Sequence, residues 1–170
     1  GYVFGGGKGT TSYFDNNDLT GYPVSHGVQQ TNEFFTRLAL VYGSTHINIS
    51  GGTIKGMVFA GGEGSYYRPT SDTNSANITT YMASVIGNTH INVSGDAHLN
   101  DFIFGGGNYG NILHTKSLPE SGSTFVTIDG GKIQNSIYGG GHGHVDMEHP
   151  ERSIVAEIEG DTHVLIKGGE

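Results

Sequence analysis

Hydrophobic and polar residues alternate in several short stretches of the chain. Between positions 45 and 49, Thr45, Ile47 and Ile49 alternate with His46 and Asn48. A period of two is typical of a β-strand that buries one face and exposes the other. The glycine pair that follows permits the positive φ angles of a turn. No stretch has a convincing helical stripe except 32–40, for which a short flanking helix is an alternative, so we expect strands almost throughout.

The alternating stretch is part of an internal repeat. It begins with Gly-x-Thr and occurs at Gly43, Gly87, Gly122 and Gly160. A second pattern, an apolar residue followed by Phe or Tyr and a glycine-rich corner, begins at Val3, Val58, Ile103 and Ile137 and alternates with the first. A third strand before each Gly-x-Thr is clearest in 38–42 and 81–86, plausible in 154–158 and weak before the third copy. Repeats of this kind are the stacked units of a solenoid.

The strand cores keep their length while the segments between them vary, which predicts loop excursions on one side of a stack. Strand, corner, strand, corner, excursion and strand together make one coil. We therefore predict an all-β fold, a β-solenoid of about four irregular coils, with residues 1–170 as a single segment. The side chains predicted to point inward and stack in columns are Ile47, Ile49, Val58, Ile91, Val93, Ile103, Val126, Ile128, Ile137, Val164 and Ile166.

The two alternating patterns, T-x-[IV]-x-[IV]-x-G-G and [VI]-[FY]-G-G-G-x-G, resemble the glycine-rich repeats of bacterial cell-surface and secreted proteins. The resemblance covers most of the chain outside the excursions. It implies a right-handed parallel β-helix of the adhesin or stalk type, an extracellular location at a bacterial cell surface, and no particular catalytic residue, since this scaffold carries several unrelated activities.

Composition and charge exclude several classes of function. The chain has 8 Lys and Arg against 16 Asp and Glu, a formal net charge of −8, which argues against nucleic acid as a partner. With no Cys, it has no disulfide and no thiolate metal site. No apolar run reaches the roughly 18 residues of a membrane span, so we expect none.

The densest group of metal-capable side chains lies between positions 142 and 149. Its members are His142, His144, Asp146, Glu148 and His149. In an extended segment, alternate residues share one face, and neutral imidazoles with carboxylates can bind Zn²⁺ or another divalent cation. The alternative is a solvated polar loop, and apart from this possible metal we expect no cofactor.

Carbohydrate contact is a second candidate. His46 and His90 occupy one repeat position, so strands in register would align them in an outward column. With Tyr66, Tyr67 and Tyr109 as exposed aromatics, this column could contact glycans. The alternative is a side-chain ladder that only covers the sheet.

Catalysis is not expected. Glycoside cleavage needs two converging carboxylates, and no repeat position carries an acid in more than one clear copy, while Asp146 and Glu148 fall in a loop. We therefore predict a structural or adhesive segment, not an enzyme.

The expected partners are copies of the chain itself or flanking solenoid segments, and glycans. The chain begins with the second half of a repeat and stops after a first half. We therefore expect end-to-end association through strand edges, in a filament or a longer solenoid. The alternatives are a carbohydrate-binding or polysaccharide-cleaving β-helix and a metal-binding surface module.

Overall fold

The chain is almost entirely β in the computed structural model, which describes residues 1–9, 24–25, 28–29, 37–64, 82–148, 150 and 153–170. These residues form fourteen β-strands and no α-helix. Except for a small antiparallel hairpin of β2 (Val24–Ser25) and β3 (Val28–Gln29), the paired strands are parallel. Part of the alternative helix, 32–36, lies outside the described residues, and 37–39 form a turn.

The longest sheet, which we call the main sheet, contains the four alternating stretches. In spatial order its strands are β14 (Thr162–Gly168), β12 (Thr124–Ile133), β9 (Thr89–Leu99) and β5 (Thr45–Ile49), and β6 (Thr53–Ile54) also pairs with β9. The register places the four repeat threonines side by side. The predicted alignment of the repeats is therefore confirmed at the level of strand pairing.

The glycine-rich corners form a second parallel sheet, the corner sheet. Its spatial order is β1 (Val3–Phe4), β7 (Val58–Phe59), β10 (Ile103–Phe104) and β13 (Ile137–Tyr138). A third sheet contains β11 (Ile112–Leu113), β8 (Val85–Ile86) and β4 (Val41–Tyr42). In all three sheets, strands that are neighbours in space come from successive repeats.

One recurring hydrogen bond joins the main sheet to the corners. The hydroxyl of Thr45 donates to the carbonyl oxygen of Ala60 at 2.6 Å, and Thr89 donates to Gly105 at 2.5 Å. Thr124 repeats the contact with Gly139 at 2.6 Å. Because a buried carbonyl oxygen that loses its donor is costly, this bond favours threonine over valine in the first three of the four Gly-x-Thr segments.

The core lies between the inward faces of these strands. Its buried members are Ile47, Ile49, Val58, Ala60, Ile91, Val93, Ala97, Leu99, Ile103, Val126 and Ile128. Their polar neighbours His46, Asn48 and Asn92 are not buried, so the predicted inward and outward faces are correct. Ile137 is partly buried and packs against the core.

Two residues of the predicted core are not buried. Val164 and Ile166 pair in register with Val126 and Ile128, as predicted, yet they are 45% and 63% exposed. The reason is position, because β14 is the last strand of the main sheet and no described strand follows it.

The third sheet is shorter than the sequence pattern predicts. Only the last two residues of 38–42 and of 81–86 form strands, and Ala39 and Ala83 just before them have φ angles of 56° and 55°. A left-handed backbone cannot continue a strand. In 154–158 there are only isolated bridges, Ile112 with Ile158 and His144 with Ile154.

The first glycine turn of the second and third repeats differs from the prediction of a strand-ending corner, whereas β5 ends before Gly51 as predicted. In β9 and β12 the strand continues through the glycines. Gly95 and Gly130 have positive φ angles of 60° and 141°, and the register of β12 against β9 shifts between Gly130 and Lys132. The glycines therefore bend a continuous strand by a bulge.

Candidate functional site

The outward face of the main sheet carries a stacked column of aromatic rings. His46, His90, Phe125 and His163 occupy one repeat position on adjacent strands. Their ring centroids are 4.4, 4.8 and 4.6 Å apart in that order, with interplanar angles of 4 to 7°. We call this set the imidazole column.

The geometry of the imidazole column limits what it can bind. The rings are parallel and each covers the face of the next, so the inner rings present only their edges to solvent. Sugars usually stack on ring faces, and within this column the outer faces of the end rings, His46 and His163, are the ones not covered by another ring of the column. His90, predicted as a glycan contact, therefore offers a ring edge and not a platform.

The environment of His90 also changes its protonation. Its pKa is lowered from the ordinary value of 6.5, first by burial and second by the neighbouring His46. Both effects disfavour the charged imidazolium. The column thus favours a neutral ring at this position.

Polar side chains form further ladders beside the imidazole column. The hydroxyl of Ser44 accepts a hydrogen bond from the Asn88 backbone, and the Asn88 side chain accepts one from the Ser123 backbone. The Asn92 side chain donates to that of Asn48 at 2.9 Å. These bonds run along the stack and tie each strand to the next, which favours a structural role for this face.

The residues predicted as a metal site lie at the end of the corner sheet and beyond. The Nδ1 atom of His142 is 2.9 Å from Oδ1 of Asn108. His144 pairs with Ile154 through the backbone, and the Glu148 backbone donates to the carboxylate of Asp146 at 3.1 Å.

No three His, Asp or Glu side chains within the described part of the chain lie close enough together to hold a metal ion. Residues 147 and 148 form a bend, so this part of the cluster is not the extended segment in which alternate side chains would share one face. His149 lies outside the described residues, so a site completed by its imidazole stays a prediction.

The predicted tyrosines are only partly described. Tyr66 and Tyr67 lie outside the described residues. Tyr109 has a left-handed backbone, with φ 65°, and its ring lies 5.7 Å from that of His142 and 6.3 Å from that of His144. Tyr109 thus belongs to the corner packing and does not join the imidazole column.

Two clefts were not anticipated from the sequence, because both depend on the segment 114–121. The Ser121 hydroxyl accepts from the Thr115 backbone at 2.8 Å, and the carboxylate of Glu159 accepts from the His114 backbone at 2.5 Å. These bonds hold the segment beside the main sheet and the third sheet.

The first cleft has a volume of 850 Å³ and lies over the third sheet, with Tyr42, Ile86 and Leu113 among its lining residues. The second, which we call the acidic groove, has a volume of 500 Å³. Its lining includes His114, Glu120, Phe125, Glu159, Asp161 and His163. Three carboxylates from two parts of the sequence, Glu120 and the neighbouring Glu159 and Asp161, line this groove, and the repeat pattern does not show that these two parts lie together.

The last strand of the main sheet carries three consecutive exposed apolar side chains. In β14, Val164, Leu165 and Ile166 are all exposed. At the opposite end of the same sheet, Ile47 and Ile49 of β5 are only 8% exposed. The main sheet therefore has one covered end and one open end, and we call β14 the open edge.

Comparison with known proteins gives no match among family models, curated proteins or solved structures. Within the described ranges, no helix has the length and apolar character needed to cross a membrane.

Proposed function

We propose that this chain is a structural or adhesive segment of an extracellular, bacterial β-solenoid fibre, stalk or filament, and that it associates through the edges of its sheets. In this proposal the three parallel sheets are faces of one right-handed coil repeated about four times, with the excursions as loops on one side. The role is assembly and not catalysis.

The order of the strands along the chain supports the coil. The chain passes from the corner sheet to the third sheet and then to the main sheet, as in β7, β8 and β9, and repeats this order with β10, β11 and β12. Every strand then meets its counterpart from the next repeat in parallel register. That is the arrangement a solenoid requires.

The observation that carries the functional proposal is the open edge. Strands at sheet edges pair readily with other strands, and proteins usually protect them with charges, prolines or covering segments. Instead, β14 presents exposed Val164 and Ile166 in columns whose inner members, Val126 and Ile128, are 1% exposed. Burying these side chains against another strand would release apolar surface from water.

Sedimentation velocity over a concentration series, with electron microscopy of the same samples, tests this function. We expect association that rises with concentration and weakens when Leu165, on the open edge, is changed to Glu. Asn92→Glu, on the same outward face but on the interior strand β9, is the matched control and should leave association unchanged. A chain that stays monomeric at the highest concentration would contradict the proposal.

Carbohydrate binding is the second candidate, and the acidic groove is the observation that favours it. Concave sites with an aromatic residue and a few polar groups are typical of small-ligand binding, and carboxylates accept hydrogen bonds from sugar hydroxyls. A glycan array tests this candidate, with His163→Ala, which removes the end ring of the imidazole column that lines the groove, expected to abolish binding and His46→Ala, at the far end of the column, expected to preserve it.

The same preparation tests for cleavage. We expect no release of reducing sugar or unsaturated product from polysaccharides. Turnover that disappears in Glu159→Gln, in Asp146→Asn or in Glu148→Gln would instead identify an enzyme. Titration with Zn²⁺ tests the metal-binding alternative, and binding lost in His142→Ala would support it.

A further inference from the structure

We infer that the main sheet contains one acid-sensitive joint, the pairing of β5 with β9, which opens when protons bind to the stacked rings of His46 and His90. Phe125 separates this pair of imidazoles from His163, so the pairings of β9 with β12 and of β12 with β14 stay closed in acid. The inference uses the pairing of the strands alone and does not depend on the proposed assembly.

The order of the rings in the imidazole column gives the three joints of the main sheet different chemistry. His46 stacks on His90 with 4.4 Å between ring centroids and an interplanar angle of 7°. Phe125 lies between His90 and His163, at 4.8 and 4.6 Å. Within the column, only the joint of β5 and β9 therefore places two groups face to face that can both become cations.

Protons convert this first joint from a neutral stack into a repulsive one. Below about pH 6.5, the ordinary value for histidine, imidazoles take up protons, and two like charges at this distance repel. His90 is half-buried, and its pKa is lowered by burial and then by His46. The stacked pair thus binds protons less readily than the separated strands would, so that falling pH favours opening.

The groups around the pair leave this repulsion uncompensated. Within the described residues, neither His46 nor His90 forms an ion pair. The outward positions on either side of the two rings carry only hydroxyl and amide groups, at Ser44, Asn48, Asn88 and Asn92. The carboxylates on this face are further away, since Asp129 lies four residues beyond Phe125, about 13 Å along β12, and Asp161 precedes β14, two strands from β9.

Phe125 makes the next two stacks respond in the opposite direction. A cation over the face of a phenyl ring, within about 6 Å of its centroid, is attracted to the ring. Both neighbours of Phe125, His90 and His163, lie within that distance, so protonation strengthens their contacts with it. Acid consequently weakens the first joint and preserves the other two.

Opening of the first joint would uncover apolar surface at a defined place in the stack. Ile47 and Ile49 of β5 pair with Ile91 and Val93 of β9, and none of the four is more than 8% exposed. Separating the two strands brings these side chains into water, a cost that keeps the joint closed while the imidazoles are neutral.

Backbone amides report on each joint separately. The amide of Thr45 donates across the first joint, and the amide of Thr89 donates across the second. Because alternate residues of a parallel strand direct their backbone groups to the same neighbour, the amide of Ile47 also faces the first joint and that of Ile91 the second.

Hydrogen exchange of the unmodified chain, resolved by residue with NMR, tests the inference. After correction for the intrinsic exchange rate, we expect the protection of the Ile47 amide to fall about tenfold from pH 7 to pH 5, because of the repulsion between the two rings. The protection of the Ile91 amide should change much less over the same range.

Exchanging single rings provides the matched variants. His46→Phe removes one member of the imidazole pair and should abolish the acid response at Ile47. His163→Phe removes an imidazole whose neighbour in the column is Phe125, and it should leave that response unchanged. Phe125→His should extend the response to Ile91, because it places imidazoles face to face across the second joint.

Three results would overturn the inference. Equal loss of protection at Ile47 and Ile91 would mean that acid destabilises the whole chain without opening a particular joint. Protection at Ile47 that does not change between pH 7 and pH 5 would mean that the stacked pair tolerates its charge. An acid response at Ile47 that persists in His46→Phe, or disappears in His163→Phe, would assign the effect to other groups. Association is measured separately, so none of these results decides the proposed function.

Discussion

At the scale of single residues, Val93 shows how little freedom the core allows. It lies on β9 in the middle of the main sheet, is 1% exposed, and pairs with Ile49 on one side and Ile128 on the other. Its column consists only of aliphatic side chains, so a polar atom at this position would have no partner.

Val93→Asp should therefore lower the free energy of unfolding by several kcal/mol, because it buries a charge without a partner. Asn48→Asp is the matched control, since residue 48 is exposed and its oxygen would still accept from Asn92. Chemical denaturation of both variants is the measurement. Equal stability of the two would mean that the inward and outward faces are assigned wrongly.

The imidazole column makes a prediction about pH. The pKa of His90 is lowered in the folded chain, by burial first and by His46 second, so below about pH 6.5 the unfolded chain binds this proton more readily. Stability should accordingly fall as pH drops through that value, and stop falling once pH is below the folded pKa.

Phe125 suggests the variant that tests this pH dependence, because it shows that the column accepts a phenyl ring at this position. His90→Phe should reduce the loss of stability between pH 7 and pH 5, and Phe125→His should increase it by placing a fourth imidazole between His90 and His163. Thermal denaturation across this range is the measurement. Identical pH profiles for all three chains would contradict the assignment.

At the scale of elements, whether a corner glycine can be replaced depends on the residues that pack against it. Gly106 and Gly140 are the same repeat position, in the corners after β10 and β13. A Cβ atom on Gly106 would lie 2.8 Å from the backbone of Gly141, whereas a Cβ on Gly140 would have no described atom within 4 Å. Of these two glycines, only Gly106, after β10, is packed against the backbone of the next corner.

Gly106→Ala should therefore destabilise the chain by about 1 to 3 kcal/mol through overpacking, while Gly140→Ala should be neutral. Urea denaturation of the two variants measures the difference. The same cost at both positions would show that the requirement for glycine is local and does not come from stacking.

The elements that could be predicted from the sequence are those whose conformation follows from the pattern of their own residues. The alternation from Thr45 to Ile49 specifies a strand and its buried face, and the repeat specifies the register. What could not be predicted depends on contacts between distant segments. The left-handed backbone at Ala39 and Ala83 is one case, since alanine has no local preference for it.

The candidate sites also divide into one that the sequence predicts and one that depends on contacts between distant segments. The column that includes His46 and His90 followed from the repeat alone, because strands in register must align equivalent residues. The acidic groove did not, since Glu120, Glu159 and Asp161 are brought together by the segment 114–121, which is not part of the repeat. The local bond from the Glu148 backbone to the Asp146 carboxylate could not be predicted from the repeat either, because a carboxylate can bond to its own backbone nearby, and metal binding by His142 to His149 stays a prediction.

At the scale of the whole molecule, the same columns of aliphatic side chains contribute to the stability of the folded chain and to its association. An aliphatic side chain inside the stack is buried by its neighbours in the same chain, whereas its counterpart at the open edge can be buried only by another strand. The same substitution should thus affect the unfolding equilibrium when it is made inside the stack, and the association equilibrium when it is made at the open edge.

Ile128 and Ile166 provide this comparison, because they are the same repeat position on the adjacent strands β12 and β14 and are 1% and 63% exposed. Ile128→Ala should lower the free energy of unfolding by about 2 to 5 kcal/mol, as truncations in a packed core do. Ile166→Ala should change the unfolding of the monomer little, since most of its side chain is already in water. Its effect should appear in association instead, as a weaker self-association measured by sedimentation at concentrations where the unmodified chain associates. If Ile166→Ala destabilised the monomer as much as Ile128→Ala, or left association unchanged, the open edge would not be the surface through which the chain assembles.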